Sequence, residues 1–69
     1  MNIYYVRFRV WDINLPKNLE ESRIVRIASE NDTSIREDIN HFVETHNKSN
    51  IKYDFIRIEY VEYGEKIHE

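Results

Sequence analysis

The sequence predicts an α+β domain of element order β-β-α-β, in which a three-stranded antiparallel sheet of strand order 2-1-3 carries one helix packed on one face. Three segments are predicted as strands, and the first shows the strict two-residue alternation of apolar and polar side chains that is typical of a half-buried strand. Between the second and the third, the apolar residues recur at helical spacing instead. A chain of 69 residues has room for one such core, so we expect a single domain.

The first strand is predicted over Ile3–Trp11, and it has the most regular alternation in the chain. Successive side chains of a strand point to opposite faces of its sheet. The face expected to be core carries Tyr4, Val6, Phe8 and Val10. The other face carries Tyr5, Arg7, Arg9 and Trp11. The second set is aromatic at both ends and cationic between them, which is the composition of a contact surface.

A connection follows over Asp12–Glu21, where Pro16 interrupts any strand ladder and favours one turn of helix. Its apolar residues are Ile13, Leu15 and Leu19. Two interpretations of them stay open: they fold back over the sheet edge or the helix, or they form with Trp11 an exposed patch for a partner. The second strand is predicted over Arg23–Ser29, and apolar residues on both of its sides leave its register uncertain.

The helix is predicted over Ile35–His46. Its apolar stripe at helical spacing is Ile35, Ile39, Phe42, Val43 and His46. Ser34 and Glu37 have the spacing of a capping box at its start. Asn47 is the expected left-handed stop at its end.

The third strand is predicted over Ile51–Tyr63, with Gly64 as its end. The apolar residues change parity along it, first Ile51, Tyr53 and Phe55, then Ile56, Ile58 and Tyr60. A change of parity within one strand predicts a β-bulge near Phe55. Glu65–Glu69 is expected to be a polar tail outside a domain of residues 1–64.

Short connections on both sides of the helix make the third strand parallel to the second, so it pairs with the first in the order 2-1-3. We expect the helix to cover one face of this sheet, against Val6, Phe8, Val10, Ile56 and Ile58. The other face, which we call the open face, would then carry Arg57 beside the contact residues of the first strand. The second and third strands are both edges, and unpaired edges favour pairing with another chain.

Composition excludes several classes of function. Without cysteine the chain has neither a disulfide nor a thiolate metal site, and a net charge of −3 argues against a general phosphate-backbone binder. Neither a membrane span nor a signal peptide is visible, so the expected location is cytoplasmic. His41 and His46 do not have the spacing of a zinc helix, the serines lie at element ends, and a phosphate-cradling glycine loop is missing. We therefore expect no catalytic residue, cofactor or metal.

The candidate contact residues are Tyr5, Arg7, Arg9, Trp11 and Arg57 of the open face, together with Leu15 and Leu19 of the connection. Three interpretations stay open for this face: a protein interface, self-association included; a site for single-stranded nucleic acid; and a solvated face whose arginines pair with Glu59 or Glu62. The first is favoured, with a homodimer expected. Heavy use of Ile, Asn and Tyr is typical of a low-GC genome, which suggests a phage or mobile-element product that inhibits or modulates a host protein.

Overall fold

The computed structural model describes residues 1–64, so the tail predicted over Glu65–Glu69 lies outside the described residues. The strands are β1 (Asn2–Asp12), β2 (Glu21–Ser29) and β3 (Ile51–Glu62), and the helix is α1 (Ser34–His46). The sheet order is β2-β1-β3, and both pairs of neighbours are antiparallel. The predicted β-β-α-β fold with strand order 2-1-3 is therefore confirmed.

The central strand β1 supplies most of the core. Its four core-face residues are buried together with two residues of α1, and the six are Tyr4, Val6, Phe8, Val10, Ile35 and Ile39. Phe42 of α1 stacks on Phe8 with ring centroids 4.9 Å apart, and the edge of Tyr53 from β3 meets both rings. Each fully buried side chain of this size stabilises the fold by about 1.5–3 kcal/mol, so the parity of β1 decides which face the helix covers.

The predicted bulge of β3 is confirmed, and a second bulge accompanies it. Between Arg7 and Phe8 the β3 partner changes from Arg57 to Phe55, so Ile56 has no opposite residue. Between Tyr5 and Val6 the partner changes from Tyr60 to Ile58, so Glu59 has none. We define these two unpaired residues, Ile56 and Glu59, as the bulges of β3.

The two bulges place two side chains of β3 differently from the sequence-based expectation. The prediction that Ile56 packs under the helix is wrong, because this bulge residue lies outside the core and is 37% exposed. The second bulge changes the parity again, so Tyr60 pairs with Tyr5 on the open face instead of joining the core side. Ile58, by contrast, packs against the core as expected.

The predicted capping box at Ser34 and Glu37 is wrong, because the cap forms three residues earlier. The side-chain oxygen of Asn31 accepts hydrogen bonds from the backbone N–H groups of Thr33 and Ser34, both at 2.9 Å. In return, the Ser34 hydroxyl accepts the Asn31 N–H at 3.1 Å. The carbonyl of Asn31 also accepts the N–H of Ile35, so Asn31 has the role of an N-cap.

Asn47 ends the helix in a different way from the one predicted. Its φ is −78°, so the expected left-handed conformation is wrong. Its side-chain amide instead bonds the backbone of Tyr53 in both directions: Oδ1 accepts the N–H at 2.7 Å, and Nδ2 donates to the carbonyl at 3.2 Å. The end of α1 is thus fastened to the outer edge of β3.

The connection between β1 and β2 is ordered by local hydrogen bonds. Asp12 closes a turn by accepting the N–H of Asn14 on its side chain and that of Leu15 on its carbonyl. One 3-10 turn follows over Lys17–Leu19, directly after Pro16, which agrees with the helical turn predicted there. The connection is shorter than the sequence pattern indicated, because Asp12 belongs to β1 and Glu21 belongs to β2.

We expect Asn47→Ala to lower the free energy of unfolding by about 1–2 kcal/mol, because it removes two hydrogen bonds that tie α1 to β3. Asn50→Ala is the matched control, since it changes the same residue type in the same turn and its side chain makes no hydrogen bond within residues 1–64. Urea denaturation of both variants measures the difference. Equal losses would show that the Asn47 amide has no special role.

Candidate functional site

The structure places all five predicted contact residues of the sheet on the open face. The residues from β1 are Tyr5, Arg7, Arg9 and Trp11, and Arg57 of β3 lies directly opposite Arg7. No other element of the described chain covers this face, because α1 packs on the opposite one. The predicted residues nevertheless do not form one site, since Tyr5 and Trp11 stand about 20 Å apart along the strand.

The first cluster is built around one carboxylate that bonds two arginines. Arg7 and Arg57 are cross-strand neighbours, an arrangement that destabilises a sheet when both side chains are charged alike. Glu59 lies between them: its Oε1 accepts Arg7 Nε at 2.8 Å and Arg57 Nε at 2.6 Å. Arg7 also donates to the Ser22 hydroxyl of β2 at 2.5 Å, so its guanidinium is held from both sides. The hydrogen bond from Arg7, more than that from Arg57, lowers the pKa of Glu59.

Two tyrosines and a third arginine complete this first cluster. The rings of Tyr5 and Tyr60 are tilted at 42° with centroids 5.7 Å apart, and Tyr60 is 61% exposed. The guanidinium carbon of Arg26 lies 6.0 Å from the centroid of the Tyr5 ring, at the outer limit of a cation–π contact. The Tyr5 hydroxyl donates to Glu62 at 3.3 Å, so Tyr5 contacts charged residues of both neighbouring strands.

The second cluster lies at the far end of β1. A cavity of about 180 Å³ is lined by Trp11, Leu15 and Leu19 together with residues at the ends of the strands. Leu15 and Leu19 are 53% and 59% exposed, and they share this cavity with the core residue Val10 and with Ile51. Arg9 lies between the two clusters, and its guanidinium stands 3.9 Å from Asp54.

Three members of the first cluster were not predicted as contact residues from the sequence. Glu59 was expected only as an ion-pair partner on a solvated face, and its place between two arginines depends on the bulge. Tyr60 was assigned to the core side because a single bulge was expected. Arg26 faces the open side because it pairs with Tyr5, a register that the pattern of β2 did not determine. The spacing of three residues from Phe55 to Ile58 and from Ile58 to Val61 is the signal that could have located both bulges.

Two polar side chains away from the open face hydrogen-bond within the domain. The buried hydroxyl of Tyr4 donates to Asp32 at 2.5 Å and accepts from Asn2 at 3.1 Å, and burial, reinforced by Asp32, raises its pKa. The exposed ring of His46 stacks on Phe42 and donates from Nδ1 to the Phe42 carbonyl at 2.8 Å, so it is not half-buried as its place in the stripe suggested. Within residues 1–64, no group of three or more potential ligands is arranged to hold a metal ion.

A further cavity of about 280 Å³ lies between α1 and β3. Its walls are mainly apolar, from Ile35 and Ile39 of the helix and from Phe55 and Ile58 of the strand, and Asp32 and Arg36 also line it.

Comparisons with protein-family models, with curated proteins and with solved structures find no match to this chain. Among the described residues, no helix has the length and the apolar character needed to cross a membrane.

We expect Arg7→Gln to raise the pKa of Glu59 more than Arg57→Gln does, because the hydrogen bond from Arg7 is the larger cause of its lowering. The native pKa of Glu59 is the depressed one. The stability that it contributes is therefore present above the pKa of an unfolded glutamate and is lost as pH falls through the native pKa. NMR titration of the carboxyl carbon in both variants measures this. An equal change in the two variants would contradict the unequal roles of the arginines.

Proposed function

We propose that this chain is a small non-catalytic protein-binding domain that acts through its open face and a strand edge, and that it forms a homodimer. One observation carries the proposal: the Tyr5–Tyr60 pair stands, with one ring mostly exposed, on a sheet face that the rest of the described chain leaves uncovered. Tyrosine, tryptophan and arginine are the residues most enriched in the energetic centres of protein interfaces.

The hydrogen bonds of the first cluster support a protein partner. Arg7 and Arg57 share Glu59, so their guanidinium groups are held in place before any partner arrives. Side chains that are already ordered lose less conformational entropy on binding. A partner of mixed polarity fits this face, with an apolar residue beside Tyr60 and polar groups toward Arg26 and Glu62.

Single-stranded nucleic acid is the second candidate, and the cation–π arrangement of Arg26 and Tyr5 favours it. Against it, Glu59 offsets one of the two positive charges of Arg7 and Arg57, and the whole chain carries a net charge of −3. Binding to phosphates weakens steeply with salt because counterions are released, whereas an interface anchored by aromatic residues depends on salt much less.

The biological role that we propose is the inhibition or modulation of a host protein by a phage or mobile-element product. This part of the proposal depends on the residue usage alone. A domain without an active site can act in this way by occupying a surface of its target.

We expect Tyr60→Ser to abolish partner binding and Tyr63→Ser to preserve it. The two tyrosines are similarly exposed and lie three positions apart, but Tyr60 belongs to the open face and Tyr63 follows the end of β3. Affinity capture from extracts of the source cell with wild type and both variants, followed by mass spectrometry, identifies proteins that depend on Tyr60.

The same three proteins are then tested by fluorescence anisotropy against a labelled single-stranded oligonucleotide at low and at physiological salt. Binding that is lost with Tyr60→Ser and falls steeply with salt would assign the face to nucleic acid. A protein retained equally by all three would show that the Tyr5–Tyr60 pair is not the contact surface.

We expect Trp11→Ala to weaken partner binding while the domain stays folded, because Trp11 lies on the open face beside the exposed Leu15 and Leu19. Circular dichroism and thermal denaturation report the fold, and the capture experiment reports binding. Loss of the folded state would place Trp11 among the core residues and contradict its assignment to a contact surface.

A further inference from the structure

The hydrogen bonds of Tyr53 in β3 indicate which backbone groups of β2 face outward from the sheet. Asn47 occupies the N–H and the carbonyl of Tyr53, so these groups point away from β1. Tyr53 pairs with Val10, so the backbone groups of Val10 point toward β2. Because these directions alternate along β1, the backbone N–H and C=O groups of all its even-numbered residues point toward β2. Their partners on β2 are the odd-numbered residues, whose backbone groups point toward β1. The outward N–H and C=O groups of β2 therefore belong to Ser22, Ile24, Arg26 and Ala28.

The two edges of the sheet differ in how well they are protected. On β3, the Asn47 amide bonds the outward backbone groups of one residue, and two bulges interrupt the regular spacing of the others. Both features hinder the addition of another strand at this edge. On β2, all nine residues pair with β1 in unbroken register, and the only glycine and the only proline of the chain lie elsewhere. Within residues 1–64, nothing pairs with the outer edge of β2.

A second copy of the chain complements this edge in one register. When two copies of β2 pair antiparallel about a two-fold axis, two opposite residues hydrogen-bond only if the backbone groups of both point outward. Centring the axis on Val25 sets Ile24 opposite Arg26 and Ser22 opposite Ala28, so every outward group of the four residues bonds. Centring it on Ile24 leaves Ala28 opposite Glu20, outside the strand, and centring it on Arg26 sets two arginines face to face.

We propose that the protein is a homodimer in which β2 pairs with β2 of a second copy about an axis at Val25, giving a continuous six-stranded sheet. On the helix side of the sheet, Val25 lies opposite Val25 of the second copy, and Ile27 lies opposite the aliphatic part of Arg23 of the second copy. These contacts extend the partly buried apolar surface of Val25 and Ile27 across the axis. The two copies of Arg26 become diagonal neighbours, but each guanidinium lies over the Tyr5 ring, toward β1 and away from the axis.

This inference rests on the self-association in the proposed function, and it specifies the edge and the register. The two open faces become one surface, with a Tyr5–Tyr60 pair on each half. A partner that contacts both halves gains from effective concentration without any new contact.

The absence of cysteine from the chain allows a direct test. In the proposed register, residue 25 and its copy form a pair without hydrogen bonds, with Cα atoms about 4.5 Å apart, which suits a disulfide. Residue 27 and its copy stand about 13 Å apart along the strands, beyond disulfide reach. We therefore expect Val25→Cys to form a covalent dimer on mild oxidation and Ile27→Cys, the matched control, to remain monomeric on a non-reducing gel.

Light scattering of the wild type separates the outcomes. A dimer, with crosslinking of Val25→Cys alone, supports the inference. A dimer in which Val25→Cys fails to crosslink, or in which Ile27→Cys crosslinks equally, overturns the edge and register but leaves self-association standing. A monomer at all concentrations overturns both, while the open-face experiments still decide whether a separate partner exists.

Ile24→Pro gives a second readout that does not depend on oxidation. Proline removes the outward N–H of Ile24 and leaves the β1–β2 bonds in place, because the residues of β2 that bond β1 are odd-numbered. We expect a folded protein, by circular dichroism, whose dimer dissociation constant rises about tenfold or more. A folded variant with unchanged dimerisation would overturn the proposed edge.

Discussion

The burial of one face of β1 is the constraint on which the other features depend. Tyr4, Val6, Phe8 and Val10 lie between two neighbouring strands and under α1. Because side chains alternate along a strand, burying these four sends the intervening residues to the open face. A slip of one residue would expose the core and bury Arg7, at a cost that a domain of this size cannot sustain. The composition of the open face therefore follows from the burial of the core.

Local pattern was sufficient to predict β1 and the helix, because each depends on a periodicity contained within one segment. The strand order followed from the short connections on both sides of the helix. Local pattern was insufficient for β3, where the adjacent apolar pair Phe55 and Ile56 revealed one bulge but not the bulge at Glu59. Apolar residues occupy every second position from Ile56 to Tyr60, so that segment fits an unbroken strand equally well. Pairing with β1, which is distant in sequence, selects the three-residue spacing of Phe55, Ile58 and Val61 over this alternation. The second bulge therefore places Glu59 and Tyr60 in the first cluster, where the sequence pattern alone did not put them.

The caps of α1 were mispredicted for a related reason. Several polar residues between Ser29 and Ser34 are good N-caps, and the choice of Asn31 depends on how the chain leaves β2. Buried Ser29 bonds both Ser34 and Asp38, which fixes that exit. At the other end, Asn47 was predicted from its tolerance of left-handed backbone, whereas its amide bonds to the edge of β3. In both places a tertiary contact selected among residues with similar local preferences.

The strand order also has a consequence for the course of folding. The β1–β2 pairing closes over about 11 residues at its nearest point, whereas the β1–β3 pairing closes over about 40, which costs about 1 kcal/mol more in chain entropy. We therefore expect β1 and β2 to associate early and β3 to dock late, after α1 has shortened the distance to be closed. Until then β1 is itself an open edge with its aromatic core face uncovered. Exposed apolar surface and unpaired edges favour aggregation, so we expect slower docking of β3 to increase aggregation during folding.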